Sequence, residues 1–141
     1  MSASPFLDTN IFVYAFTDDR RTARAQASLE KPYVTSVQAF NEFSHVMRRK
    51  SRREWNEIRT AISAIYRMSE RVVVVDLALN DRAFDLVGRY NLGFFDALMI
   101  AAALEAKTTL FLSEDLHDGL LIDGTLTVIN PFRSAGSAIN P

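Results

Sequence analysis

The chain has 141 residues, 48% hydrophobic and 23% charged, with a formal net charge of −1, which fits one domain with a substantial core. No apolar stretch approaches the ~20 residues that span a bilayer, and the N-terminal MSASPF lacks a basic region followed by an apolar one. The absence of cysteine excludes disulfides, thiolate metal sites and thiol nucleophiles, so a cytoplasmic protein without a membrane anchor is expected.

Phe6-Leu7 reads as a short strand, with Pro5 where a strand start tolerates proline. Ile11 to Phe16 fits either strand or helix. TDDRRTARAQASLE carries a helical segment toward a second strand in PYVTS. From Ser36 apolar residues recur at helical spacing (Val37, Phe40, Phe43, Met47), with Thr35 or Ser36 as N-cap. The basic group RRKSRR follows, then a helix from about Glu54 to Glu70. RVVVVD is the clearest buried strand by composition. A helix over roughly Asp81 to Tyr90 stops near Gly93, and FFDALMIAAALEA, apolar on every side but one, reads as a buried helix. TTLFLS and LTVIN are the last two strands, separated by the turn signals Asp118-Gly119 and Asp123-Gly124. Residues 134–141 read as a loose tail behind a domain of residues 1–133.

This alternation predicts an α/β domain with a mainly parallel sheet and helices on both faces. In such folds ligands gather beyond the carboxyl ends of the strands, so acids at those ends are the residues to weigh. Asp8 follows the first strand within FLDTNIFVYAF, where it either caps a helix or serves chemistry. Glu42 lies at the edge of an apolar helix face, a position usually solvated. Asp96 enters a helix with no polar face, favoured there by the helix dipole; Phe94 and Phe95 before it suggest a helix that starts inside the protein. LSEDLHDG offers Glu114, Asp115 and Asp118; Asp118 precedes a glycine and suits a turn, which ranks Asp115 above it. Asp76, ending VVVVD, reads as structural.

Charge is uneven along the chain. Residues 1–75 hold twelve Lys/Arg against eight Asp/Glu, and residues 76–123 hold three against nine. Such halves suit an anionic polymer and a divalent cation, or two solvated surfaces. Converging carboxylates repel one another unless a cation joins them. Mg²⁺ or Mn²⁺, hard ions that take oxygen ligands, would align and polarise a phosphodiester. The sequence holds no GxSxG, HExxH, GxxxxGK(S/T) or GxGxxG to support a rival chemistry.

Four segments, FLDTNIFVYAF, TSVQAFNEFSHVMRRK, GFFDALMIAAAL and LFLSEDLHDG, together resemble the PIN-domain nucleases, and specifically the VapC-like toxins of toxin–antitoxin pairs. The resemblance covers nearly the whole chain to about Phe132. It implies a five-stranded parallel sheet, a homodimer, a protein antitoxin, and an endoribonuclease that uses Mg²⁺ or Mn²⁺. Position by position, Asp8, Glu42, Asp96 and Asp115 match the four acids, with Asp8, Asp96 and Asp115 as metal ligands and Glu42 on a second ion or the attacking water. Some relatives keep the fourth acid at the position of Asp118 instead. Ser113 replaces the more usual threonine and retains its hydroxyl. On this view Arg48, Arg49, Lys50, Arg52 and Arg53 contact RNA phosphates without reading sequence. Trp55 would either stack on a base or, as its helical spacing favours, pack; His45 and His117 receive no role. Two other readings are a non-catalytic RNA- or partner-binding module, against which the complete acid set argues, and an aspartyl phosphatase, which would want a second acid where Asn10 stands.

Overall fold

Residues 4–133 are described by the structure, a computed structural model, so the tail expected over 134–141 lies outside them. Their six strands form one sheet in the order β3-β2-β1-β4-β6-β5: β1 (Phe6–Leu7), β2 (Val34–Ser36), β3 (Arg71–Val73), β4 (Leu110–Leu112), β5 (Leu121–Ile122) and β6 (Leu126–Ile129). All neighbouring pairs are parallel except β5 with β6. The helices are α1 (Thr9–Ala15), α2 (Thr22–Leu29), α3 (Val37–Arg49), α4 (Trp55–Met68), α5 (Leu77–Tyr90) and α6 (Phe94–Glu105). None of the helices is long and apolar enough to cross a membrane.

The sheet has six strands rather than the expected five. The extra one, β5, is two residues long, too short to show a period, and is folded back onto β6 by Asp123 (φ 51°) and Gly124 (φ 70°). Left-handed backbone at both central positions matches the twist of a tight hairpin, for which Asp-Gly is well suited. RVVVVD also departs from expectation: only Arg71–Val73 pair, Val73 alone is fully buried, and Val74 is largely exposed. Its strand lies at the sheet edge, where Val72 and Val75 still pack against the core but Val74 faces outward. The ambiguous run after Asp8 is a helix.

The centre of the sheet is the most deeply buried region. Phe6 on β1 and Phe111 on β4 are fully buried and stack with ring centroids 5.2 Å apart. Alanines and aliphatics from Ala97 to Ala103 bury one complete helical segment of α6, as a parallel sheet with covered faces requires. Tyr33, just before β2, is buried and donates its hydroxyl to the Ile65 carbonyl at 2.6 Å, tying the strand to α4. Strands β1 and β4 end side by side, Leu7 pairing with Leu112, so the residues that follow them emerge together.

Tyr33→Phe removes the donor and leaves a buried carbonyl unpaired. The expected cost is about 1–2 kcal/mol, read as a lower urea midpoint with an unchanged slope; an unaltered midpoint would show that the bond adds nothing.

Candidate active site

Asp8 follows directly on β1, and its 4% exposure makes it the most buried carboxylate of the described residues. It caps α1, accepting from the Thr9 backbone N–H at 2.7 Å, and its other oxygen accepts from the Ser113 hydroxyl at 2.7 Å. Capping and burial at a strand end therefore coexist in one side chain. Ser113, fully buried at the exit of β4, also accepts from the Asp115 backbone N–H at 3.1 Å. Asn10 completes the link between the two strand ends, donating to Asp115 Oδ2 at 3.0 Å and accepting from the Glu114 N–H at 3.4 Å.

Glu42 reaches the same place from α3, a helix whose start is fixed by Ser36 accepting from the Ala39 N–H at 3.2 Å. Its two oxygens accept from Thr9 Oγ1 at 3.2 Å and from Gln38 Nε2 at 2.9 Å, so it is oriented rather than loosely solvated. Asp96 sits half-buried in the first turn of α6, and among the described residues its carboxylate has no hydrogen-bond partner. The helix begins nearer the surface than expected, because Phe95 is 60% exposed.

The acids share one electrostatic field. Burial pushes Asp8 up to about 7, against the opposing hydrogen bonds of Ser113 and Thr9, and the charges of Asp96 and Asp115 add to the rise. Asp96 is raised by burial first, then by the charges of Asp115 and Glu42. Asp118 stands apart: its carboxylate accepts from the Asn130 N–H at 2.7 Å and from Arg133 at 2.9 Å, closing the loop between β4 and β6. Asp76 caps α5 through the Leu79 N–H. Both have structural employment, and Asp115 is the acid of that loop which faces the cluster.

Glu114 is held by groups far away in sequence. It accepts from Tyr14 at 2.6 Å and from Arg21 at 2.9 Å, while Arg21 also binds Asp19 and lies over the Tyr14 ring at 4.0 Å. Burial works to raise the Glu114 carboxyl, but these bonds and the guanidinium charge hold it below its ordinary value. The network anchors the loop carrying Asp115, and no local pattern in the sequence pointed to it.

Among the described residues no group of three or more acids or histidines already forms a metal cage; Thr9, Ser113, Asn10 and Gln38 hold three of the carboxylates in their present orientations. The donor set is nevertheless wholly hard oxygen, and a cation would relieve the mutual repulsion that raises Asp8 and Asp96. In composition and electrostatics the residues fit a divalent ion. His45 and His117 are exposed and outside the cluster.

The basic residues lie at the other end of α3. Arg48, Arg49, Lys50 and Arg52 are exposed, whereas Arg53 is partly buried and donates to the Phe16 carbonyl at 3.0 Å, which gives it a structural part. Trp55 is 59% exposed, contrary to the packing its spacing favoured.

A family model, the PIN domain, matches residues 6–117. Among solved structures, a toxin–antitoxin complex from Klebsiella pneumoniae superposes with a TM-score of 0.70 at 20% identity, covering 92% of this chain and 98% of that one. Mycobacterium tuberculosis VapC20, described as a sarcin-ricin loop cleaving toxin, gives a TM-score of 0.63 at 22% identity, covering 79% of this chain and 92% of that one. At such identities the likeness is one of fold. No curated protein matches by sequence search.

The raised Asp8 carboxyl has a consequence for stability. Its folded value of about 7 exceeds the ordinary 3.8, so the folded chain binds the extra proton between those limits. Stability is then greatest below the window and falls as pH rises through it, by a few kcal/mol at about 1.4 per pKa unit. In EDTA, the wild-type urea midpoint should drop between pH 5 and pH 8, and Asp8→Asn should remove most of that drop. Parallel pH profiles for the two proteins would contradict the assignment.

Proposed function

The chain belongs to the PIN-domain family, and we propose that it is a metal-dependent endoribonuclease, the toxin of a toxin–antitoxin pair. The observation that carries this reading is Asp8, buried at the end of a central strand in the field of two further acids. Its fold neighbours, one from a toxin–antitoxin complex and one described as cleaving the sarcin-ricin loop, support the choice of RNA as substrate and of an antitoxin as partner. A homodimer working in the cytoplasm belongs to the same reading.

Asp8, Asp96 and Asp115 would hold Mg²⁺ or Mn²⁺, and Glu42 would hold a second ion or orient the attacking water. When bound, the ion supplies charge neutralisation, polarisation of the phosphodiester and a more acidic water. The chain's own contribution is orientation. Ser113 and the Thr9 N–H fix both oxygens of Asp8, Asn10 fixes Asp115, and Thr9 with Gln38 fixes Glu42. Among the described residues Asp96 has no such partner, which leaves it available to an ion. Because loss of a residue that merely supports a metal ligand costs ~10–100-fold, loss of a ligand should cost at least as much.

Purified protein should cleave a mixed pool of transfer and ribosomal RNA with Mn²⁺ and stop in EDTA. Asp96→Asn should lose about 100-fold or more in rate while keeping its far-ultraviolet circular dichroism. Full activity in that variant would overturn the site. Mn²⁺ should also raise the melting temperature of the wild type; RNA binding without that rise and without cleavage would indicate a binding module instead.

A further inference from the structure

We propose that Trp55 is a stacking platform for an unpaired RNA base, set at the far end of α3 from the acids and flanked by exposed cations. This deepens the RNA reading above and rests on it for the choice of polymer. Trp55 is the first residue of α4 and stays 59% exposed, so most of its ring faces water instead of stabilising the core. Its place is nevertheless fixed. Glu54 and Glu57 form a capping box around it, with the Glu54 N–H donating to Glu57 Oε1 at 3.0 Å. The Arg48 guanidinium lies 5.2 Å from the ring centroid and donates to the Arg53 carbonyl at 3.1 Å. An indole held between a capped helix start and a guanidinium is pre-organised for a flat ligand.

The charge around it selects the ligand. Arg49, Lys50 and Arg52 are exposed and, among the described residues, have no salt-bridge partner; Arg48 has only Glu54 at 3.8 Å. Unneutralised cations beside an exposed aromatic suit a single-stranded polyanion with π-faces, in which phosphates meet the cations and a base meets the ring. Position links the platform to the acids. Arg49 is seven residues beyond Glu42 on α3, on the same face and about 10 Å along the axis. A strand running from the acids past Arg49 would bring a base, some nucleotides from the bond cut, onto Trp55. The platform would then favour substrates unpaired at that point without reading their sequence.

The chain's single tryptophan gives the test its own signal. In EDTA, where no cleavage is expected, a single-stranded oligoribonucleotide should quench Trp55 fluorescence saturably. Trp55→Ala should weaken RNA binding by on the order of 10–100-fold, and Trp55→Phe should recover most of it. Inorganic polyphosphate, which has charge but no bases, should bind wild type and Trp55→Ala alike. With Mn²⁺, Trp55→Ala should raise KM and leave kcat nearly unchanged. Absence of quenching, or an equal loss of RNA and polyphosphate binding in Trp55→Ala, would overturn the platform. Quenching without cleavage would sink the nuclease reading while sustaining this one; cleavage with an indifferent Trp55 would do the reverse.

Discussion

A carboxylate buried at the end of a central strand is the constraint around which the rest of this molecule is arranged. Asp8 sits where water is excluded, so its charge must be supported by hydrogen bonds or suppressed by a proton. Both occur: Thr9 and Ser113 donate to it, and burial still raises its pKa to about 7. The bond from Ser113 spans 105 residues and exists only because β1 and β4 are neighbours in register. The carboxyl end of the sheet is thus assembled by the same pairing that builds the core, where Phe6 and Phe111 stack two residues before Asp8 and Ser113.

From that pairing the other acids follow by topology. Helix α1 starts at Asp8 and carries Asn10 to the β4 exit; α3 starts at the end of β2 and carries Glu42 back to Thr9; α6 delivers Asp96. Three oriented carboxylates and one without a partner among the described residues lie in a common field. That arrangement is costly for the isolated chain, because each added negative charge opposes ionisation of Asp8 and Asp96. Repulsion of this kind is relieved by a cation, which is the ground for proposing a metal site.

Sequence reasoning reached the α/β architecture from the alternation of strands and helices, and it nominated Asp8 and Asp115 by the rule that ligands collect after strand ends. Asp96 stood out as the one acid entering an apolar helix, and Glu42 rested on the family resemblance. Asp8 and Asp115 follow strands whose composition is plain, and both emerge side by side. Local pattern ranked Asp115 above Asp118 only by the glycine that follows Asp118; the structure adds the Asn130 N–H and Arg133, which occupy Asp118. The clasp of Arg21 and Tyr14 on Glu114 was equally hidden, since it joins groups 93 and 100 residues apart. Strand β5 is too short to carry a period. Phe95 and Trp55 misled for a related reason: apolar residues in the first turn of a helix can face outward, since spacing alone does not say where the neighbouring elements end.

The claim that Asp8, Asp96 and Asp115 surround a divalent ion is met most directly by crystals grown with Mn²⁺ and measured for its anomalous scattering. The account predicts a peak bounded by these three carboxylates, with Asp96 turned toward it, and loss of that peak in Asp96→Asn crystals. A well-ordered site with no peak there, or Mn²⁺ bound only elsewhere, would contradict it.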